Sequence, residues 1–238
     1  MDKIQSKINH KERFNYEAVL EKMLLGNEFH YLILDALRNY SDEKLWLGGG
    51  VVRNFVWDSL HNVKTVNKDV DIFYFNKSET SKAADKKIEK YFEKIVPSIN
   101  WSVKNQARMH LVNDEPPYKN LREAIEKFPE TASSVVCRLT DKNHILIIAP
   151  HSLRDLFTLI VQPTPHFSSS ILKIERYNYR IKKKKWITKW PNLLLKDLRA
   201  YDESNYSRYK PIKNFIGSGW RGSKKFNAGG KFANGYFR

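Results

Sequence analysis

A mixed α/β fold, with helices flanking a sheet of about five strands, is what this sequence predicts. Three observations carry that prediction. Short runs rich in β-branched and aromatic residues read as strands, the clearest being residues 69–76, Asp-Val-Asp-Ile-Phe-Tyr-Phe-Asn. Between such runs lie segments with apolar residues at helical spacing. The chain has 238 residues, 41% hydrophobic and 13% aromatic, enough to bury a real core and too apolar for a wholly disordered protein.

The elements follow in order. Residues 13–25 read as a helix, with Phe14, Val19, Met23 and Leu24 near one face and Gly26 as its stop. A second helix is expected over 28–40. Lys44-Leu45-Trp46-Leu47 is a short strand broken by Gly48-Gly49-Gly50, and a helix follows on Val51, Val52, Phe55, Val56 and Leu60, with Arg53, Asn54 and Asp58 largely on its other side. After the strand at 69–76 come a charged helix from Ser81 to Ile95, a strand from Trp101 to Gln106 and a short helix over 120–128. Residues 132–139 and 144–149 straddle Asp141-Lys142-Asn143 as a hairpin, and Ser152 to Val161 returns to helix. Residues 174–196 read as a basic helix. From about Arg199 the periodicity disappears and glycines cluster, so 199–238 is expected to be a mostly disordered tail.

Charge divides the chain the same way. The net +16 comes from 42 Lys and Arg against 26 Asp and Glu, but residues 1–175 carry 25 basic against 23 acidic side chains and residues 176–238 carry 17 against 3. The single cysteine, Cys137, excludes an intramolecular disulfide framework and a cysteine zinc site, and reads as a small buried hydrophobe. The polar start and the shortness of the purest apolar run, Ile145 to Ala149, predict a cytoplasmic chain with no membrane partner.

Two features carry chemistry. Asp69 and Asp71 alternate on a strand, so both carboxylates face one side, about 6.6 Å apart at Cα. Such a pair can converge on hard divalent cations, although most Asp-x-Asp pairs are merely solvated. Upstream, Gly49 and Gly50 lie between a strand and a helix N-terminus, where free amides and the helix dipole favour phosphate. Arg53, three positions on, is near enough to support the same charge. By itself the glycine turn reads equally well as a tight strand-to-helix connection without a ligand. It is neither a dinucleotide fingerprint, whose third glycine would fall at Arg53, nor a P-loop.

Gly49-Gly50-Val51-Val52-Arg53-Asn54, followed by Lys68-Asp69-Val70-Asp71, resembles the nucleotidyltransferase fold of the DNA polymerase β superfamily. The Gly-Gly-x-Val-Arg form is similar to that of poly(A) polymerases and CCA-adding enzymes. A closer resemblance is to an uncharacterised bacterial nucleotidyltransferase-like family. It runs through Val52 to His61, Asp69 to Phe75, Val103 to His110, Pro129-Glu130-Thr131-Ala132, Ala149-Pro150 through Asp155-Leu156-Phe157, and Lys185-Trp186 with Trp190-Pro191. This covers roughly residues 20–195, placing a nucleotidyltransferase-like domain at 1–198 and the basic tail at 199–238.

The resemblance implies transfer of a nucleoside monophosphate from an NTP to an acceptor hydroxyl, with Mg²⁺ or Mn²⁺. Asp69 and Asp71 would hold the metal and Gly49 and Gly50 would contact phosphate; Arg53 joins the nucleotide-binding set from its position three residues on, not from the resemblance. The superfamily's third carboxylate has no counterpart here, since no Asp or Glu occurs between Glu93 and Asp114 and the expected strand offers Asn105. Either Asp114 or Asp155 supplies it from elsewhere, or the fold is a catalytically degenerate module that binds nucleotide or nucleic acid. Asn105, Arg108 and His110 are accessory candidates, with an Arg108–carboxylate pair and a structural His110 as the alternatives. Trp57, Trp101, Trp186 and Trp190 read as core, and Lys182 to Lys185 as a solvated helix face. In the tail, nine aromatic residues interleaved with Arg, Lys and Gly suit stacking and backbone contacts to RNA or DNA, or an extension with no partner.

Overall fold

The computed structural model describes residues 15–65 and 69–196. The tail from 199 onward, the domain boundary at 198 and Lys68 lie outside the described residues. Helices α1 (Tyr16–Leu25) and α2 (Glu28–Arg38) start on Asn15 and Asn27, whose side-chain oxygens accept from amides three residues on and satisfy donors the first turn leaves free. Strand β1 (Trp46–Gly48) passes through Gly49 into α3 (Gly50–His61). Strand β2 (Val70–Tyr74) is joined to β3 (Trp101–Asn105) by α4 (Lys82–Ile95), the crossover that a parallel pair needs. Then come α5 (Met109–Asn113), α6 (Leu121–Glu126), a 3₁₀ turn at Thr131–Ser133, and the hairpin β4 (Val136–Leu139) and β5 (Ile145–Ile148). The described part closes with α7 (Arg154–Phe157), β6 (Ile160–Val161), α8 (Pro165–Ser168), α9 (Ile171–Lys184), α10 (Trp186–Lys189) and β7 (Leu194–Leu195).

The main sheet has five strands in the order β3-β2-β1-β4-β5, with β2 and β3 parallel and the other pairs antiparallel. It is the mixed sheet flanked by helices that the sequence predicts. Because side chains alternate along a strand, its two faces have different fates. Leu47, Ile72, Tyr74, Val103, Cys137 and Leu139 join residues of α1 to α4 in the main core. Phe73 and Val136 on the opposite face meet Leu121 and Ile125 of α6 in a smaller cluster. Asp71 alternates with Phe73, so it belongs to this thinly covered face.

Three expectations needed correction. The strand expected over 132–139 begins only at Val136, after the 3₁₀ turn. The helix expected over 152–161 ends after Phe157, where Leu159 takes φ +60° and Ile160–Val161 pair with Leu194–Leu195. The helix expected over 174–196 breaks at Lys185, φ +49°, which turns Trp186 and Trp190 into the core against Trp57, with ring centroids 5.3 and 5.1 Å away. Trp57, Trp101, Trp186 and Trp190 are core residues, none more than 4% exposed. Cys137 is buried, and burial raises its thiol pKa well above the usual range.

Candidate active site

The three consecutive glycines have three different reasons to be glycine. A Cβ on Gly48 would lie 2.4 Å from Val136 Cγ1 and 2.5 Å from the Val135 carbonyl oxygen, so close packing of β1 on β4 forbids it. Gly49 sits at φ +60°, ψ −123°, a backbone conformation open essentially to glycine alone. At Gly50 neither reason applies: φ is ordinary, and a Cβ would meet only Arg53 Nη2, at 3.7 Å. Helix α3 has no side-chain cap, so among the described residues the first-turn amides of Gly50, Val51 and Val52 have no acceptor. A bare N-terminus behind a glycine that packing does not require is suited to an anion approaching the backbone closely.

The carboxylates stand beside it. Trp46 pairs with Phe73 and Leu47 with Ile72, so one further step sets Asp71 across from Gly48. Asp71 is half-buried and takes a 2.7 Å ion pair from Lys104 on β3. Burial pushes its carboxyl pKa up, but Lys104, Ser102 and the more distant Lys184 outweigh that and hold it below the usual carboxylate range. Asp69, just ahead of β2, accepts a hydrogen bond from Asn100 Nδ2. Asp71 lies on the open face and Asp69 one residue ahead of the strand, two carboxylates of the kind that suit a Mg²⁺-like ion, which takes one or two carboxylates and completes its shell with phosphate oxygens and water.

Arg53 differs from its reading as a solvent-side residue. It is 2% exposed, with its guanidinium carbon 4.3 Å from the Trp186 ring centroid and 5.0 Å from that of Trp57. It donates to Ser133 Oγ (2.8 Å) and Asn54 Oδ1 (2.7 Å). Burial lowers its pKa to about 9, with Glu130 opposing, so it stays charged at neutral pH. Its site nevertheless adjoins Gly50. Two cations missed in the sequence lie close by on α9. Arg180 Nε donates to Oε1 of the fully buried Glu130 at 2.5 Å, and Glu130 Oε2 has no partner. Lys184 keeps solvent access, yet the surrounding protein and the like charges of Arg180 and Arg53 bring its pKa down to about 7. The signal was in the spacing: Lys184 is seven residues from buried Tyr177 and three from buried Ile181, which marks the flank of the inward face.

The accessory candidates fall elsewhere. Asn105 alternates with Val103 and Trp101, so it points to the sheet face opposite Asp71; the residues of β3 beside the carboxylates are Ser102 and Lys104. Its buried amide donates to the Asn76 and Glu79 carbonyls (2.7 and 2.8 Å) and accepts from the Asn76 and Ala107 amides, bracing the loop after β2. Arg108 pairs with Asp85 and donates to the Thr80 and Ser81 carbonyls, securing the start of α4. His110 Nδ1 lies 2.7 Å from the Ala107 carbonyl oxygen. Asp114 caps α5 in a left-handed conformation, and Asp155 accepts from Thr131 Oγ1 and Gln162 Nε2. Among the described residues, no three His, Cys, Asp or Glu side chains are grouped to hold a metal.

Comparison with known proteins agrees with this fold. A family model described as nucleotidyltransferase matches residues 36–195. An NMR structure described as revealing a CCA-adding enzyme head domain is 30% identical, with a TM-score of 0.66 over 75% of this chain and 94% of that one. A CCA-adding enzyme in complex with CTP is 13% identical, with a TM-score of 0.51 over 75% of this chain and 43% of that one. The Thermotoga maritima CCA-adding enzyme in complex with tRNA is 14% identical, with a TM-score of 0.48 over 76% and 42%. The chain thus spans less than half the length of the last two proteins. No curated protein matches. No helix among the described residues is long and apolar enough to cross a membrane.

Proposed function

The chain belongs to this nucleotidyltransferase family, and on that premise we propose that it transfers a nucleoside monophosphate from an NTP to an acceptor hydroxyl. The observation that supports the reading most is the meeting of the Gly49–Gly50 turn with Asp71 on one open face. The uncapped amides of α3 receive phosphate oxygens, and the missing Cβ of Gly50 allows their approach. Arg53, fixed in its tryptophan box, adds positive charge behind the turn. Asp69 and Asp71 would hold Mg²⁺ or Mn²⁺, which when bound supplies charge neutralisation and polarises the phosphate. Lys104 keeps Asp71 ionised, the state a metal ligand needs. In the transfer the acceptor hydroxyl gives its proton to water, its oxygen bonds to the α-phosphorus, the bond from that phosphorus to the bridging oxygen breaks, and pyrophosphate leaves.

Purified protein incubated with α-labelled NTPs, Mg²⁺ or Mn²⁺, and mixed cellular RNA and protein tests the reading. Label should pass to one acceptor class and be lost in Asp69→Ala and Asp71→Ala. No transfer with any NTP would count against an enzyme, and equal activity in both variants would sink the site.

A second reading, a module that binds nucleotide or nucleic acid without turnover, is favoured by one observation: the position across from Asp71 on β3 is Ser102, flanked by Lys104, with no third carboxylate grouped there among the described residues. Nucleotide binding without transfer in the same assay would select it. On either reading we propose that the basic tail over 199–238 contributes RNA affinity in the cytoplasm. RNA titration at two salt concentrations, with and without those residues, tests the tail's part, and unchanged affinity on truncation would remove it.

A further inference from the structure

We propose that helix α9 forms the second wall of the phosphate site, with Lys184 contacting the phosphates of the bound nucleotide and Arg180 positioned behind it by Glu130. The proposal rests on the nucleotidyltransferase reading and extends it to an element that the glycine turn and the Asp pair do not include.

The geometry converges on one place. Trp186 links α9 to the glycine turn: its ring lies 4.3 Å from the Arg53 guanidinium carbon and 5.9 Å from that of Arg180. Arg53 in turn borders the position a Gly50 Cβ would occupy. Arg180 and Lys184 are four residues apart on one helix, so they share a face. Lys184 is felt electrostatically by Asp71 across the open face of the sheet and interacts with both Arg53 and Arg180.

The roles separate by exposure. Arg180 is 18% exposed at its side chain and committed to the fully buried Glu130. Such a buried pair fixes orientation more than it adds stability. Lys184 has no hydrogen-bond or ion-pair partner among the described residues and remains accessible. Among the described residues, the carboxylates acting on the cluster of Arg53, Arg180 and Lys184 are Glu130 and Asp71, which leaves a local excess of positive charge that a polyanion relieves. The left-handed break at Lys185 ends α9 immediately after Lys184, so the chain turns into the core where the last side chain facing the site has been placed. The recognised chemistry is the phosphate chain, common to an NTP and to inorganic tripolyphosphate.

The test is calorimetric titration of the full chain with ATP and with inorganic tripolyphosphate, both in EDTA. Binding is then read without turnover and without a metal at Asp69 and Asp71. Lys184→Gln should weaken both ligands about tenfold, while Lys183→Gln, one residue away, leaves both unchanged. Loss of ATP binding alone would show that Lys184 addresses the nucleoside, which overturns the phosphate assignment. Equal losses in the two variants would mean a diffuse charge effect, and equal affinity in Lys184→Gln and wild type would mean no contact; each overturns the proposal while leaving nucleotide binding intact. If the wild-type chain binds neither ligand, this proposal falls together with the nucleotide-binding reading beneath it. Thermal melting of each variant accompanies the titration. Arg180→Gln leaves the buried Glu130 unpaired and is expected to unfold at lower temperature, so Lys184→Gln is the deciding variant.

Discussion

Lys104 Nζ lies 2.7 Å from Asp71 Oδ1, across the parallel pair of β2 and β3. The ammonium therefore holds the carboxylate ionised and also competes with any other cation for it. Both side chains are about one-third exposed, so water screens the pair and its contribution to stability is small, about 0.5 kcal/mol. Its effect on cation binding is more direct. Lys104→Met should tighten Mn²⁺ binding, measured by electron paramagnetic resonance at neutral pH, by about fivefold, because repulsion worth about 1 kcal/mol is removed. Unchanged affinity would show that the ion does not use Asp71.

The glycine run gives opposite expectations at neighbouring positions. Gly48→Ala drives a methyl group into Val136 and the Val135 carbonyl, and should cost about 3 kcal/mol or more in urea unfolding. Gly50→Ala has room for its methyl and lowers the entropy cost of the helix, so it should be neutral or stabilising by about 0.5 kcal/mol. The same substitution should weaken NTP binding, since the methyl group stands where phosphate approaches. A Gly50→Ala protein that is stable and binds NTP normally would remove the glycine turn from the site.

What the sequence made legible was local, and what it hid was set by register and by long-range packing. The alternation of Asp69 with Asp71 and the glycines between strand and helix are patterns within a few residues; the glycines stand between β1 and α3 as expected, and Asp71 lies in β2, while Asp69 stands one residue ahead of that strand. The choice of Asn105 failed because composition names a strand without telling which face of the neighbouring strand it shares. Only the pairing of Asp71 with Ser102 settles that. Arg53 looked solvent-facing because its burial depends on Trp186, 133 positions away in sequence. Lys184 was hidden inside a run of four exposed lysines, and its place one turn after Arg180 on α9 is what singles it out.

The register makes a paired prediction. Asn105→Asp puts a carboxylate against the Asn76 and Glu79 carbonyls that the amide now satisfies, and should destabilise the fold by about 2–3 kcal/mol without strengthening Mn²⁺ binding. Ser102→Asp puts the same group on the face of Asp71 and should strengthen it. The reverse order of metal affinities would overturn the assignment of the two faces.

Acid should weaken the fold through His30, away from the site. This ring stacks on Phe55 with centroids 4.0 Å apart, its Nδ1 lies 2.7 Å from Asn27 Oδ1, and its buried Nε2 has no partner. Burial lowers its pKa to about 4, against 6.5 for the free side chain. Between these values the unfolded chain binds a proton that the folded chain refuses, so stability is complete above about pH 6.5 and falls as pH drops towards 4. The full shift corresponds to at most about 3 kcal/mol. Urea unfolding at a series of pH values should show this slope, and His30→Phe, which keeps an aromatic ring on Phe55 and cannot take the proton, should flatten it. An unchanged slope in that variant would assign the acid sensitivity to the carboxylates instead.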